Sequence, residues 1–301
     1  MNKQVTNPVN LTAEEFMHPG NRACSGCGLS TLYRIGLKAL GRDSIFVVPP
    51  SCLTVMQGLY PIAATQIPCL NVTFATTAAA ASGVRAAHKV RKKEITKVVA
   101  WAGDGGTSDI GIQSLSAAIE RGEDFLYICY DNEAYMNTGV QRSGTTPQGT
   151  ITTNTPIKGK IQKNKDLPKI IAAHNPTYVA TCSAAYPLDF YNKIIKAISL
   201  KGMKYIHIHT PCPSGWGIAE RLSITVGKMA VNAGLYDLYE VENGKKTLSG
   251  PSSKLLQKKE LPRVAEYLKI QSRFRALSEQ QIAEIQAEID TKWEGYRQEV
   301  G

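Results

Sequence analysis

From Gly103 to Gly139 the chain reads GDGGTSDIGIQSLSAAIERGEDFLYICYDNEAYMNTG, two polar clusters each entered by an apolar run. Lys97-Val98-Val99-Ala100-Trp101 leads into Gly103-Asp104-Gly105-Gly106. Phe125-Leu126-Tyr127-Ile128-Cys129-Tyr130 leads into Asp131-Asn132-Glu133-Ala134-Tyr135-Met136-Asn137. Between them Ile110, Leu115, Ala118 and Ile119 recur at roughly helical spacing. The pattern predicts a strand–turn–helix–strand–turn unit with one hard oxygen ligand at the end of each strand. Glycines at the first turn tolerate positive φ, and without side chains they let phosphate oxygens reach the N–H groups of the helix start. Asp104 offers a carboxylate and Asn132 a neutral amide oxygen, a donor set that Mg²⁺ accepts alongside phosphate and water. A Gly-Asp-Gly alone suits many tight turns. Its pairing with Asn132-x-x-x-x-Asn137-Thr138-Gly139 after a second strand favours a site for a divalent cation and a diphosphate together.

The wider pattern agrees with such a unit. Strand-like runs recur at Ile45–Val48, Asn71–Phe74, Val98–Trp101, Leu126–Tyr130, Tyr178–Thr181 and Tyr205–His209. Helical patterns lie between them at Leu29–Leu40, Ala78–Lys89, Ile110–Arg121, Leu167–Ala173 and Leu188–Leu200. This alternation predicts an α/β fold, a doubly wound and mostly parallel sheet with ligands beyond the carboxyl ends of the strands. Asp109 is expected in the first turn of the helix that follows Asp104. Residues 143–166 lack periodicity, which suggests a lid over the site. Past about Val241 the composition turns charged. We expect a domain over 1–240 and a helical extension over 241–301, packing on this domain, on a partner subunit, or as a surface helix pair. Pro262 suits a first helical turn, and Ser278-Glu279-Gln280-Gln281 reads as a capping box.

The chain has 7 cysteines and no apolar run at its start, so no signal peptide is expected, disulfides are a poor default and a cytoplasmic setting is favoured. Cys24-Ser25-Gly26-Cys27 alone suits zinc, a redox pair or an iron–sulfur cluster equally. Cys52 and Cys212 stand in proline-flanked segments (Pro49-Pro50-Ser51-Cys52 and Thr210-Pro211-Cys212-Pro213) that read as ligand loops. Cys69, Cys129 and Cys182 read as buried small hydrophobes. His207 and His209 alternate on a strand and share a face, which reads as core or interface packing before a metal pair. The net charge of +10 comes from lysines in groups at Lys89–Lys93, Lys158–Lys165 and Lys254–Lys259. No aromatic-interleaved basic platform accompanies them, so nucleic acid is not expected. No apolar run approaches membrane-spanning length.

Asp104 followed by Asp131-Asn132-Glu133-Ala134-Tyr135-Met136-Asn137-Thr138-Gly139 resembles the thiamine diphosphate motif of the 2-oxoacid:ferredoxin oxidoreductases, most closely the beta subunit of the pyruvate:ferredoxin branch. The resemblance implies that Asp104 and Asn132 bind Mg²⁺ by their side chains and Ala134 by its carbonyl. Gly103, Gly105 and Gly106 would then face the diphosphate, and Asn137 the reactive end of the cofactor. Cys24-Ser25-Gly26-Cys27-Gly28, Cys52 and Cys212-Pro213-Ser214-Gly215-Trp216 resemble the family's ligands to a 4Fe–4S cluster. Four thiolates also suit Zn²⁺. The implied reaction is oxidative decarboxylation of pyruvate or a related 2-oxoacid with coenzyme A, reducing ferredoxin. The implied partners are subunits of alpha, gamma and delta type, one of which supplies the glutamate that protonates the cofactor, and an acidic ferredoxin drawn by the basic charge. Asn21 and Thr54 stand where relatives often carry His and Glu, and they bear on which 2-oxoacid is used. Other specificities (2-oxoisovalerate, oxalate, phenylglyoxylate), or a non-oxidative thiamine-dependent decarboxylase subunit, are the alternatives.

Overall fold

The computed structural model describes residues 4–92 and 96–300. Six strands run parallel: β1 (Ser44–Val48), β2 (Cys69–Asn71), β3 (Lys97–Gly103), β4 (Leu126–Asp131), β5 (Tyr178–Ser183) and β6 (Lys204–His209). Two more, β7 (Tyr239–Glu242) and β8 (Lys245–Leu248), are antiparallel, and the sheet order is β2-β1-β3-β4-β6-β5-β7-β8. The helices are α1 (Gly28–Leu40), α2 (Cys52–Gln57), α3 (Thr77–Val90), α4 (Asp104–Ser108), α5 (Ile112–Glu120), α6 (Leu167–Ala172), α7 (Pro187–Ser199), α8 (Pro213–Trp216), α9 (Ser223–Asn232), α10 (Gly250–Leu255), α11 (Val264–Lys269) and α12 (Glu279–Val300).

Alternation along the strands divides the core. Phe46, Trp101, Ile128 and Ile206 face α1 and α7, while Val47, Ala100, Tyr127 and Tyr205 face α3, α5 and α6. Every residue of β4, β5 and β6 is buried, as a sheet covered by helices on both faces requires. Gly36 lets α1 lie directly on the Trp101 indole, where a Cβ would come within 2.6 Å of the ring. The doubly wound α/β expectation is met. Register aligns Gly103 with Tyr130 and Asp131 with His209, so β3, β4 and β6 deliver their last residues to one edge.

A third core lies beyond that edge, where α9 to α12 close around Trp216 and Trp293. Ser278 N donates to Gln281 Oε1 and Gln281 N to Ser278 Oγ, at 2.9 and 3.2 Å, which completes the capping box at the start of α12. The stretch expected to be helical also contains most of the β7–β8 hairpin. Asn243 and Gly244 turn it with φ of 51° and 75°, and its charged edge masks the strand pattern. β2 precedes the expected Asn71–Phe74 run and leaves Phe74 in the following turn. Pro262 precedes α11, whose N-cap is Arg263. The last turn of α3 carries His88 and Lys89; Lys93 of the same basic group lies outside the described residues. Among the described residues no helix is long and apolar enough to cross a membrane.

Candidate active site

At the carboxyl edge of β3 and β4, every residue expected to bind the cofactor (Gly103, Asp104, Gly105, Gly106, Asn132, Ala134 and Asn137) lines one open cleft with ≈ 630 Å³ of empty space. β3 ends at Gly103 and Asp104 begins the single turn of α4. None of the three glycines adopts the positive φ expected of them. What Gly105 and Gly106 supply is room. A Cβ at Gly105 would come within 2.4 Å of the Tyr135 ring, and one at Gly106 within 3.2 Å of Phe74. The left-handed backbone sits on the other side of the cleft, at Glu133 (φ 65°) and Val140 (φ 65°).

The oxygen groups meet at the cleft floor. The end of the Asn132 amide lies 3.1 Å from Asp104 Oδ1 and 2.9 Å from the Ala134 carbonyl oxygen. Turned with nitrogen inward, the amide donates to both. Turned with oxygen inward, it gives three oxygens bordering one small space. Oxygens bound cis around Mg²⁺ at about 2.1 Å stand about 3 Å apart, so these spacings fit an octahedral ion. Asp104 is buried, and its other oxygen, Oδ2, accepts from Ser143 Oγ at 2.5 Å and Thr145 Oγ1 at 3.1 Å. Burial, then the charge of Asp131, push the Asp104 carboxyl well above the usual carboxylate range, and the two hydroxyls only partly oppose this. Burial acts on Asp131 too, but His207 Nε2 at 2.9 Å, Thr145 Oγ1 and the Glu133 N–H hold its carboxyl below that range. A cation beside Asp104 Oδ1 would supply the positive charge that Asp104 otherwise lacks.

The 143–166 segment lies beneath this floor and does not cover it. None of its residues lines the cleft. Ser143 and Thr145 hold Asp104, and the Gly144 N–H donates to Asp109 Oδ2. Lys165 Nζ reaches Ser108 O and Asp109 Oδ1. Asp109 is the C-cap of α4, outside the following helix, and its Oδ2 also accepts from Tyr135 OH at 2.9 Å.

The four expected cluster cysteines sit beside the same cleft. Cys27 is the N-cap of α1, Cys52 the first residue of α2, and Cys212 the N-cap of α8, so the proline-flanked segments are helix starts and not free loops. Gly26 makes the turn between Cys24 and Cys27 at φ 68°, against the Glu220 backbone. Burial, followed by the Cys212, Cys27 and Cys24 thiols, pushes the Cys52 thiol up to about 12. Among the described residues no three His, Cys, Asp or Glu side chains form a group that could hold a metal ion. His207 and His209 are buried. The first bonds Asp131 and Tyr205, and the second stacks on Tyr236 with ring centroids 4.8 Å apart.

The family profile described as thiamine pyrophosphate enzyme, C-terminal TPP binding domain, matches residues 53–208. The chain is 46% identical over 287 residues to pyruvate synthase subunit PorB of Methanothermobacter marburgensis, covering 94% of this chain and 98% of that one. It is 41% identical over 302 residues to ketoisovalerate oxidoreductase subunit VorB of Pyrococcus horikoshii, covering 97% and 96%. The chain belongs to the 2-oxoacid:ferredoxin oxidoreductase family. It is a beta-type subunit of such an enzyme and carries its thiamine diphosphate-binding domain. The fold is shared with a solved 2-oxoglutarate:ferredoxin oxidoreductase from Magnetococcus marinus, at a TM-score of 0.59 and 21% identity, over 68% of this chain and 70% of that one.

Several residues that shape this cleft and its supports were not legible in the sequence. Ser143 and Thr145 lie in the aperiodic segment. Arg273, from the 3₁₀ turn Ser272–Phe274, pairs with Glu133 at 2.6 Å. Trp216 donates its Nε1–H to Asn132 O at 2.8 Å. Only Trp216 had a signal, since it closes the Cys212-Pro213-Ser214-Gly215-Trp216 run.

Proposed function

We propose that this subunit binds thiamine diphosphate, Mg²⁺ and a 4Fe–4S cluster, and catalyses oxidative decarboxylation of pyruvate or a close 2-oxoacid. The products with coenzyme A are acyl-CoA, CO₂ and a proton, and two electrons pass singly to two ferredoxins. The observation that carries this reading is the cleft itself, where the Asp104–Asn132–Ala134 oxygens share a lining with Cys52. When bound, thiamine diphosphate takes up the electron pair left as CO₂ departs, and the cluster accepts electrons one at a time.

The chain's own groups would hold these cofactors in place. Asp104 Oδ1, the Asn132 amide oxygen and Ala134 O would ligate Mg²⁺, Gly103, Gly105 and Gly106 would border the diphosphate, and Asn137 would face the reacting end. Cys24, Cys27, Cys52 and Cys212 would ligate the cluster. A cluster sets its sulfur ligands apart by its own size, so thiols that are neighbours without converging on one point suit it. Such thiols need a reducing, cytoplasmic setting. Residues 1–240 hold all these groups, and the 241–301 extension braces them.

Among the described residues Asp104 is the only carboxylate lining the cleft, and Mg²⁺ would occupy it. The acid that protonates the aminopyrimidine must therefore come from a partner subunit, and the chain alone should be inactive. The charge of +10 suits an acidic ferredoxin, and its reduction should slow as salt rises.

The test is anaerobic purification with the partner subunits, followed by EPR and a 2-oxoacid panel. We expect a reducible 4Fe–4S signal and CoA-dependent ferredoxin reduction. Colourless protein with stoichiometric zinc, or turnover by the single chain, overturns the reading. The panel must include 2-oxoisovalerate, because a ketoisovalerate oxidoreductase subunit matches at 41% beside a pyruvate synthase subunit at 46%.

A further inference from the structure

Arg273 is distant in sequence from both halves of the site and touches supports of each. It is buried at 3% exposure, and its guanidinium lies 3.7 Å from the centre of the Trp216 ring. Its Nη2 lies 2.6 Å from Glu133 Oε2, and its Nε donates to Gln271 Oε1 at 2.9 Å. Its own carbonyl accepts from Ile151 N, which ties the turn to the 143–166 segment at 2.8 Å.

The two groups it holds lead in different directions. Glu133 sits between Asn132 and Ala134, in the left-handed backbone conformation that a non-glycine residue adopts only when its surroundings impose it. Trp216 bonds Asn132 O through Nε1, and its backbone N–H bonds Cys212 O at 2.8 Å. Next to it, Gly215 packs so closely that an added Cβ would lie 2.2 Å from Met136 Sδ and 3.4 Å from Cys212 Sγ.

We propose that Arg273 is a positioning residue for both cofactor sites. Its charge fixes the Glu133 turn, which sets the Asn132 and Ala134 oxygens. Its planar face fixes Trp216, which sets the Cys212 turn. The proposal rests on the thiamine diphosphate, Mg²⁺ and cluster reading above. It assigns the C-terminal segment a role in cofactor geometry and not only in packing. A lysine could serve the first contact but not the second, because an ammonium has no planar face to stack.

The test uses the assembled enzyme as wild type, R273M, R273K and W216F. Mg²⁺ affinity is measured by calorimetry at fixed thiamine diphosphate, and the cluster is read from the EPR line shape of the reduced protein. We expect R273M to weaken Mg²⁺ binding roughly tenfold and to alter the EPR signal. R273K should restore most of the Mg²⁺ affinity while leaving the EPR signal altered. W216F removes the donor to Asn132 and leaves a smaller ring beneath Arg273, and it should weaken Mg²⁺ binding several-fold. A general loss of stability would lower the melting temperature without this split between R273K and R273M. Should R273M not fold, R273K and W216F carry the test. A Mg²⁺ affinity within twofold of wild type in R273M, or in W216F where R273M does not fold, overturns the proposal, as does an unchanged EPR signal in both Arg273 variants. Wild-type enzyme that binds no Mg²⁺–thiamine diphosphate, or shows no cluster, overturns the underlying reading instead.

Discussion

The oxygen floor and the cysteine group lie side by side and are built in opposite ways. Asp104 and Asn132 are buried, bracketed by their own strands and fixed before any ligand arrives, with Ser143 and Thr145 on one carboxylate oxygen. The cysteines come from widely separated segments; Cys24 is exposed, and the other three are partly buried. Among them Cys212 makes a long Sγ···Ser214 Oγ contact of 3.6 Å. A small hard ion takes its geometry from its ligands, so the protein must set oxygens to within tenths of an ångström. A cluster carries its own geometry, so the protein needs only to bring thiols within reach. Burial raises the Cys27 and Cys52 thiols above their usual range, so the bound metal itself must favour the thiolate form.

The sharpest way to break this comparison is to disable each region alone. D104N should weaken Mg²⁺-dependent thiamine diphosphate binding by more than about 100-fold and abolish turnover, with the cluster EPR signal kept. C24S should abolish or degrade that signal while cofactor affinity stays within a few-fold. If either change removes both properties equally, the two regions are one cooperative unit and the contrast fails.

A second, smaller perturbation tests whether the floor is preset. The S143A/T145V double variant frees Asp104 Oδ2 and leaves every proposed ligand in place. It should weaken Mg²⁺ binding about tenfold with little change in the cluster signal. An unchanged Mg²⁺ affinity would mean that the metal, and not the hydroxyl pair, orients the carboxylate.

The same contrast explains what the sequence revealed. The parallel strands and their helices were legible because buried strands show continuous apolar runs and helices on their faces show a 3.6-residue period. The polar residues that line the cleft beyond β3 and β4 were expected there because each follows an apolar strand run. Ser143, Thr145 and Arg273 were not legible, because their roles arise from long-range packing that leaves no local period. The β7–β8 hairpin was missed although Asn243-Gly244 is a strong turn signal, since its lysine and glutamate content reads as a solvated surface. The glycines were found for a reason that only partly held. They admit close approach, while the strained φ fell to Glu133.

Lys160 provides the finest test, and it touches the floor alone. Its Nζ is buried and donates to the carbonyls of Ser143, Gly144 and Thr146 at 3.3, 3.0 and 2.6 Å, so it shapes the loop that holds Asp104. Burial, helped by the nearby charges of Arg142 and Lys165, lowers its pKa to about 8. An unfolded lysine titrates near 10.4, so between these values the unfolded chain binds the proton that the folded chain has lost. Folded-state stability from this group therefore rises as pH climbs from about 8 to 10, and it is lost again as pH falls back through 8. Below pH 8 both states are protonated and the contribution is flat. Urea unfolding of wild type and K160M at pH 7, 8, 9 and 10 isolates the effect from other lysines. The wild type should gain about 1–3 kcal/mol relative to the variant across that window. Parallel stability curves would show that Lys160 is solvated, and that the loop beneath Asp104 is less firmly set than the contrast with the cysteine region requires.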